Sequence, residues 1–93
     1  MYNSACEAIT LACDNDLMDA MIDRFGRGVK VVENRETEFV IEVEIAVNHV
    51  FYSWVFGFGG RVRIIDPAGI RDEFVRFVKE TSEKLFREDG NGL

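Results

Sequence analysis

The chain holds one proline, one histidine, one tryptophan and two cysteines in 93 residues, and its 17 acidic residues outnumber 11 basic ones. Each shortage removes a class of function. With a single histidine and no nucleophile motif, neither a catalytic constellation nor a set of converging metal ligands can be assembled, so an enzyme is not expected, and no cofactor. The net charge of −6 runs against phosphate binding, which is driven by Lys and Arg that release counterions; it leaves room only for a local basic strip. No apolar run approaches the roughly 18 residues that span a bilayer, and the N-terminus has neither a basic start nor a long apolar stretch. A cytoplasmic protein without a membrane partner is therefore expected. Cys6 and Cys13 fall in one stretch that reads as a strand, where seven residues span about 23 Å, beyond disulfide reach. Their odd spacing points them to opposite faces, and reduced, structural thiols are expected.

What is present is an ordinary globular composition, 47% apolar and 12% aromatic, in a length that makes one small domain. A chain of this size buries only about 60–65% of its unfolded surface. A surface that meets a partner is expected from size alone.

Residues 7–13 alternate with Ile9, Leu11 and Cys13 on one face, the period of a strand. Asp14, Asn15 and Asp16 are turn and N-cap residues, and Leu17, Met18, Met21, Ile22 and Phe25 then form the stripe of an amphipathic helix that Gly26 and Gly28 end. Val29–Glu33 is a short strand, 34–37 a hairpin turn, and Phe39–Val47 the strongest strand. In the latter Phe39, Ile41, Val43, Ile45 and Val47 face the core, and Glu42 and Glu44 face away with Val40 and Ala46. Asn48 caps a second helix with the stripe Val50, Phe51, Trp54, Val55 and Phe58, ended by Gly59 and Gly60. Arg61–Ile65 is the next strand. Asp66 as N-cap and Pro67 as first helical residue open a long helix to about Arg87. Ile70, Phe74, Phe77, Val78, Thr81 and Leu85 lie on one side of it; on the other, Asp72–Arg76, Glu80–Lys84 and Glu83–Arg87 are spaced for i,i+4 pairs.

The chain repeats itself. A shift of 33 residues lays Leu17 on Val50, Met18 on Phe51, Met21 on Trp54, Ile22 on Val55, Phe25 on Phe58, Gly26 on Gly59 and Val29–Glu33 on Val62–Asp66; the preceding strands match with a one-residue slip. Two β-α-β units followed by an extra helix result. Interleaved through right-handed crossovers, they give an α+β fold, a ferredoxin-like double β-α-β sandwich: a four-stranded antiparallel sheet with two helices on one face, plus a long C-terminal helix.

Few residues suggest chemistry. His49 sits at a helix start without ligands at metal spacing and reads as a surface turn residue. Gly57–Gly60 resembles a phosphate loop, but a helix precedes it and a strand follows, the reverse of what phosphate binding needs, so it reads as helix termination. Glu42 and Glu44 lie about 7 Å apart on one strand face, with Lys30 on the neighbouring strand; a solvated charge ladder that serves as a ligand or partner face, together with Arg63, is expected. Arg24, Arg27, Lys30, Arg61 and Arg63 cluster near helix ends and following strands. They are either cations that settle helix C-termini or an anion or nucleic-acid strip. Trp54 takes a core position rather than a stacking platform.

Trp54-Val55-Phe56-Gly57-Phe58-Gly59-Gly60-Arg61-Val62-Arg63-Ile64-Ile65-Asp66-Pro67, followed by Ile70-Arg71 and a helix, resembles the C-terminal extension, or WCX domain, of WYL-domain transcriptional regulators. That family runs tryptophan, apolar residues, a glycine, an alternating strand, a proline and a helix with leucine and arginine. The resemblance covers roughly residues 6–86 and divides the chain into an N-terminal tail (1–6), one ferredoxin-like WCX-like domain (7–87) and a C-terminal tail (88–93). It implies the C-terminal piece of a bacterial regulator whose winged helix-turn-helix and WYL domains are its natural neighbours and are absent here. It also implies a non-catalytic role in transcription regulation: homodimer formation and support of effector sensing, with nucleic acid or a small molecule as effector. The open sheet face, the final helix and the edge strand Val29–Glu33 are the expected contact surfaces. An ACT-like small-molecule sensor on the same double β-α-β is the alternative.

Overall fold

A computed structural model describes the backbone of residues 6–27 and 29–92 and side chains as far as Arg87. The expected N-terminal tail, apart from Cys6, and the helix-ending role of Gly28 lie outside the described residues. The elements run β1 (Cys6–Asp14), a short 3-10 turn (Asn15–Leu17), α1 (Met18–Phe25), β2 (Lys30–Asn34), β3 (Glu38–Ala46), α2 (His49–Phe56), β4 (Val62–Asp66) and α3 (Ala68–Gly92). The architecture is α+β: one antiparallel four-stranded sheet in the order β2-β3-β1-β4, with three helices.

The sheet register shows the repeat as a pseudo-dyad. Leu11 pairs with Ile41 at the centre, and the row continues outward to Val31 in β2 and Ile64 in β4. The bulges fall at matching places, beside Val32 in β2 and beside Ile65 in β4. Helices α1 and α2 are both followed by glycines with positive φ, Gly26 at 92° and Gly59 at 64°, a conformation open to Gly because it lacks Cβ. The offset of 33 residues thus holds for β2 and β4. It does not hold for β1 and β3, which slip by three residues, Leu11 matching Ile41, rather than by one.

The core lies between the sheet and the helices. Ile9, Leu11, Cys13, Phe39, Ile41 and Val43 from the central strands meet Met21 of α1 and Phe51, Tyr52 and Val55 of α2. Alternation along the strands sets this face. Asn48 caps α2 as expected, its side chain accepting a hydrogen bond from the Phe51 amide at 3.0 Å. Two other capping expectations are corrected. Asp14 remains in β1 and makes no side-chain cap. Asp66 closes β4, and the Pro67 carbonyl accepts from the Ile70 and Arg71 amides instead.

The expected stripe of helix α2 faces inward at Phe51 and Val55, with Trp54 and Phe58 packed beside them, but not at Val50. Val50 is 73% exposed and Tyr52 only 3%. The reason is α3, which packs along β4 and the flank of α2. It brings Phe74 and Phe77 to 5.6 Å from the Tyr52 ring and Glu73 to 2.8 Å from the Tyr52 hydroxyl, which donates to it. Of the expected α3 stripe, Ile70, Phe74, Phe77 and Val78 are buried or half-buried, whereas Thr81 and Leu85 are exposed. The helix outruns the body that its first turns pack on. It also passes Arg87 to end at Gly92, since one internal glycine costs a helix only about 1 kcal/mol. The expected i,i+4 pairs do not close; among the described residues the ion pair along α3 is Arg71–Asp72 at 3.7 Å.

Candidate functional site

Of the open-face set, Lys30 and Glu42 stand opposite each other in β2 and β3 and pair at 3.4 Å. Glu44 lies one pleat further along, opposite Ala8, and is exposed. Arg63 is on the far edge strand β4 and pairs with Glu38. A row across the sheet, Glu33–Val40–Ala12–Arg63, explains why Val40 and Ala12 are buried although they face away from the helices. They sit between the charged residues of a network, in which Arg35 donates to Glu33 at 2.9 Å and to Glu38 at 2.6 Å while Glu38 also holds Arg63. Sequence reading missed Arg35, Glu33 and Glu38, which flank or lie in the stretch taken as a hairpin turn. The signal was parity: Glu38 is two residues before Val40 and shares its face.

Hydrogen bonding from Arg35 holds the Glu33 and Glu38 carboxyls below the usual 4.5, with Arg63 adding to the effect on Glu38. A carboxyl depressed in the folded state stabilises above its unfolded value and loses that contribution as pH falls through the folded value. Melting temperature is therefore expected to hold steady from pH 7 to about 5 and to fall below about 4.5. Thermal scans of Arg35→Met should show a shallower acid limb; an unchanged limb would remove the network from that role. All these side chains are solvent-accessible, so the shift expected is a few degrees at most.

The five residues considered as an anion strip do not form one. Lys30 and Arg63 lie on opposite edges of the sheet. Arg61 bonds Asp14 at 3.1 Å and also Asp16. Arg24 leaves the sheet altogether and lies over the Phe25 and Trp54 rings at 5.4 and 5.5 Å. Arg27 stands exposed between α1 and β2. Most of this positive charge is spent on carboxylates and aromatic faces of the chain itself. Trp54 is half-buried against Phe25 and Phe58, edge to face at 5.4 and 5.0 Å, so it is a packing residue.

His49 opens α2, exposed, its ring 4.9 Å from that of Phe77. It lines an open groove of about 820 Å³ between α2 and α3, with Tyr52, Glu73, Arg76, Glu80 and Lys84. Bases and acids alternate there, an arrangement suited to a small polar or zwitterionic molecule. Burial first, and then the hydrogen bond to Glu73, pushes the Tyr52 hydroxyl up, so it stays neutral and its proton is held by Glu73 at the groove wall. The thiols differ as their spacing predicts: Cys6 is exposed, and burial pushes the Cys13 thiol up to about 12, which leaves it protonated and unreactive at neutral pH. Among the described residues no cluster of His, Cys, Asp or Glu has metal-binding geometry, and no helix is long and apolar enough to cross a membrane.

The exposed apolar residues are the most distinctive surface. Val31 and Val32 of β2 are 40% and 47% exposed; Phe56 on α2 and Val75, Leu85 and Phe86 on α3 range from 57% to 72%. Large apolar side chains grouped along one helix mark contact surfaces more often than isolated ones do.

No curated protein and no solved structure matches the chain. The family model of the WCX domain matches residues 7–82, which takes in the sheet except Cys6, α1, α2 and most of α3. On that match the chain belongs to the WCX domain family.

Proposed function

We propose that the protein is a non-catalytic regulatory module, the C-terminal part of a WYL-type bacterial transcriptional regulator working in the cytoplasm, which pairs as a homodimer and supports effector sensing. The observation that carries this reading is the WCX match over residues 7–82, joined to exposed apolar residues on β2, α2 and α3. The strand order β2-β3-β1-β4 with α1 and α2 as crossovers supports a ferredoxin-like double β-α-β, an architecture that hosts many functions and by itself assigns none. A small-molecule effector suits the α2–α3 groove, with its mixed charges and the Tyr52 hydroxyl. Nucleic acid as effector has less support, because Lys30, Arg61 and Arg63 are already paired with carboxylates.

Light scattering at two protein concentrations, with and without short single-stranded DNA, tests the proposal. The expected mass is twice that of the chain and unchanged by DNA at physiological salt. A monomer at every concentration would overturn the dimer reading. DNA binding that weakens steeply with salt would bring back the nucleic-acid alternative.

A further inference from the structure

The pseudo-dyad makes the two ends of the sheet equivalent, yet they are not equally covered. In the central row, Val31 of β2 and Ile64 of β4 are counterparts, but Val31 is 40% exposed and Ile64 only 3%. The difference is α3, which packs along β4 and α2; over β2 and α1 no described element takes the matching place. Eleven residues are three turns of helix, so Lys84, Leu85 and Phe86 lie on the same side of α3 as Glu73, Phe74 and Val75, although Ile70, Phe77 and Val78 fall on Thr81, Glu88 and Asp89. Of the set Glu73–Val75, Phe74 packs against the core and Glu73 bonds Tyr52, while Val75 lies beside β4 and stays 58% exposed. The set Lys84–Phe86 projects beyond the body, with Leu85 and Phe86 66% and 72% exposed.

The charges differ in a complementary way. On α2, Tyr52 donates to Glu73. The repeat counterpart of Tyr52 on α1 is Asp19, which is exposed, and the counterpart of Glu73 is Lys84. An acid therefore stands on α1 where a base stands on the free end of α3, while Leu85 and Phe86 match Val31 and Val32. The chain's own α3 is committed to the β4 end of the sheet and does not reach the β2 end.

We infer that the projecting end of α3 from a second copy docks over α1 and β2, in the position that the chain's own α3 takes over α2 and β4, with Lys84 of one copy facing Asp19 of the other. The contact is reciprocal, as a twofold dimer requires. This rests on the homodimer reading above and names its surface.

The test is the dimer dissociation constant of the full chain, measured by sedimentation equilibrium. Every substituted side chain is exposed, so folding is checked simply by unchanged circular dichroism. Val31→Glu and Phe86→Glu should each weaken the dimer at least tenfold. Asp19→Lys and Lys84→Asp should each weaken it several-fold, and the two together should return it to within about threefold of the parent. A dimer broken by Phe86→Glu but indifferent to Val31→Glu would mean that α3 pairs with α3; one broken only by Val31→Glu would mean that β2 edges pair. Either result overturns this inference and leaves the homodimer standing, as does a charge reversal without rescue. A parent chain that stays monomeric overturns both.

Discussion

Phe51→Ala is expected to cost about 3–5 kcal/mol, the range for a buried phenylalanine cut back to alanine. Phe51 is 1% exposed and lies in the core cluster, with Tyr52 and Trp54 rings 6.0 and 6.3 Å away. Its side chain joins α2 to the central strands, so truncation leaves a cavity that neither the sheet nor the capped helix can close without breaking hydrogen bonds elsewhere. A domain of this length carries a total stability of about 5–14 kcal/mol, so one substitution removes a large part of it. With a urea slope of about 1–2 kcal/mol per molar, the midpoint should fall by roughly 1.5 M or more. A fall of less than about 0.5 M would show that α2 is held mainly by its own cap and by α3, not by the sheet.

The second large effect concerns α3. A chain ended at Pro67 loses the helix that covers Val62, Ile64, Tyr52 and Val55, all of them no more than 3% exposed when α3 is present. Burial of Ile70, Phe74, Phe77 and Val78 is lost as well, at about 1.5–3 kcal/mol for each fully buried large side chain and less for those half-buried. That sum approaches the whole stability of the domain, so the shortened chain is expected to lose its cooperative thermal transition. A chain ended at Ser82 keeps all four residues, and the described side chains it removes, 83–87, are exposed. Its melting temperature at low protein concentration is expected to stay within a few degrees of the parent. A cooperative transition in the chain ended at Pro67 would show that the two β-α-β units fold alone and that α3 is an addition to a finished core. These two truncations separate the part of α3 that builds the fold from the part that projects.

The physical division of labour within α3 explains why its role was only half legible. Its periodicity marks one long apolar side, Ile70 to Leu85, but periodicity carries no information on where the body of the protein ends. The same blindness accounts for α2: Val50 and Tyr52 lie on nearly opposite faces of the helix, and which of them is buried was decided by the flank on which α3 docks. The charged residues follow this pattern too. That Lys30 faces Glu42 follows from alternation in adjacent strands. That Arg63 is bound to Glu38, and Arg61 to Asp14 and Asp16, depends on a register between strands far apart in the chain, which no local pattern encodes.

Sequence alone determined the order and type of the elements, the doubling of the β-α-β unit, the core face of the two central strands, the Asn48 cap, the opposite settings of the two cysteines and the likeness to the WCX family. All of these are written in residue spacing or in one contiguous stretch. Only the tertiary structure decided that the repeat slips by three residues in its first strands, that Lys30, Arg61 and Arg63 are paired with carboxylates of the chain, and that among the described residues one end of a pseudo-symmetric sheet is covered by α3 while the other is not. Those outcomes turn on which distant surfaces meet, and a packing choice between two nearly equivalent edges is made by the single helix long enough to cover one of them.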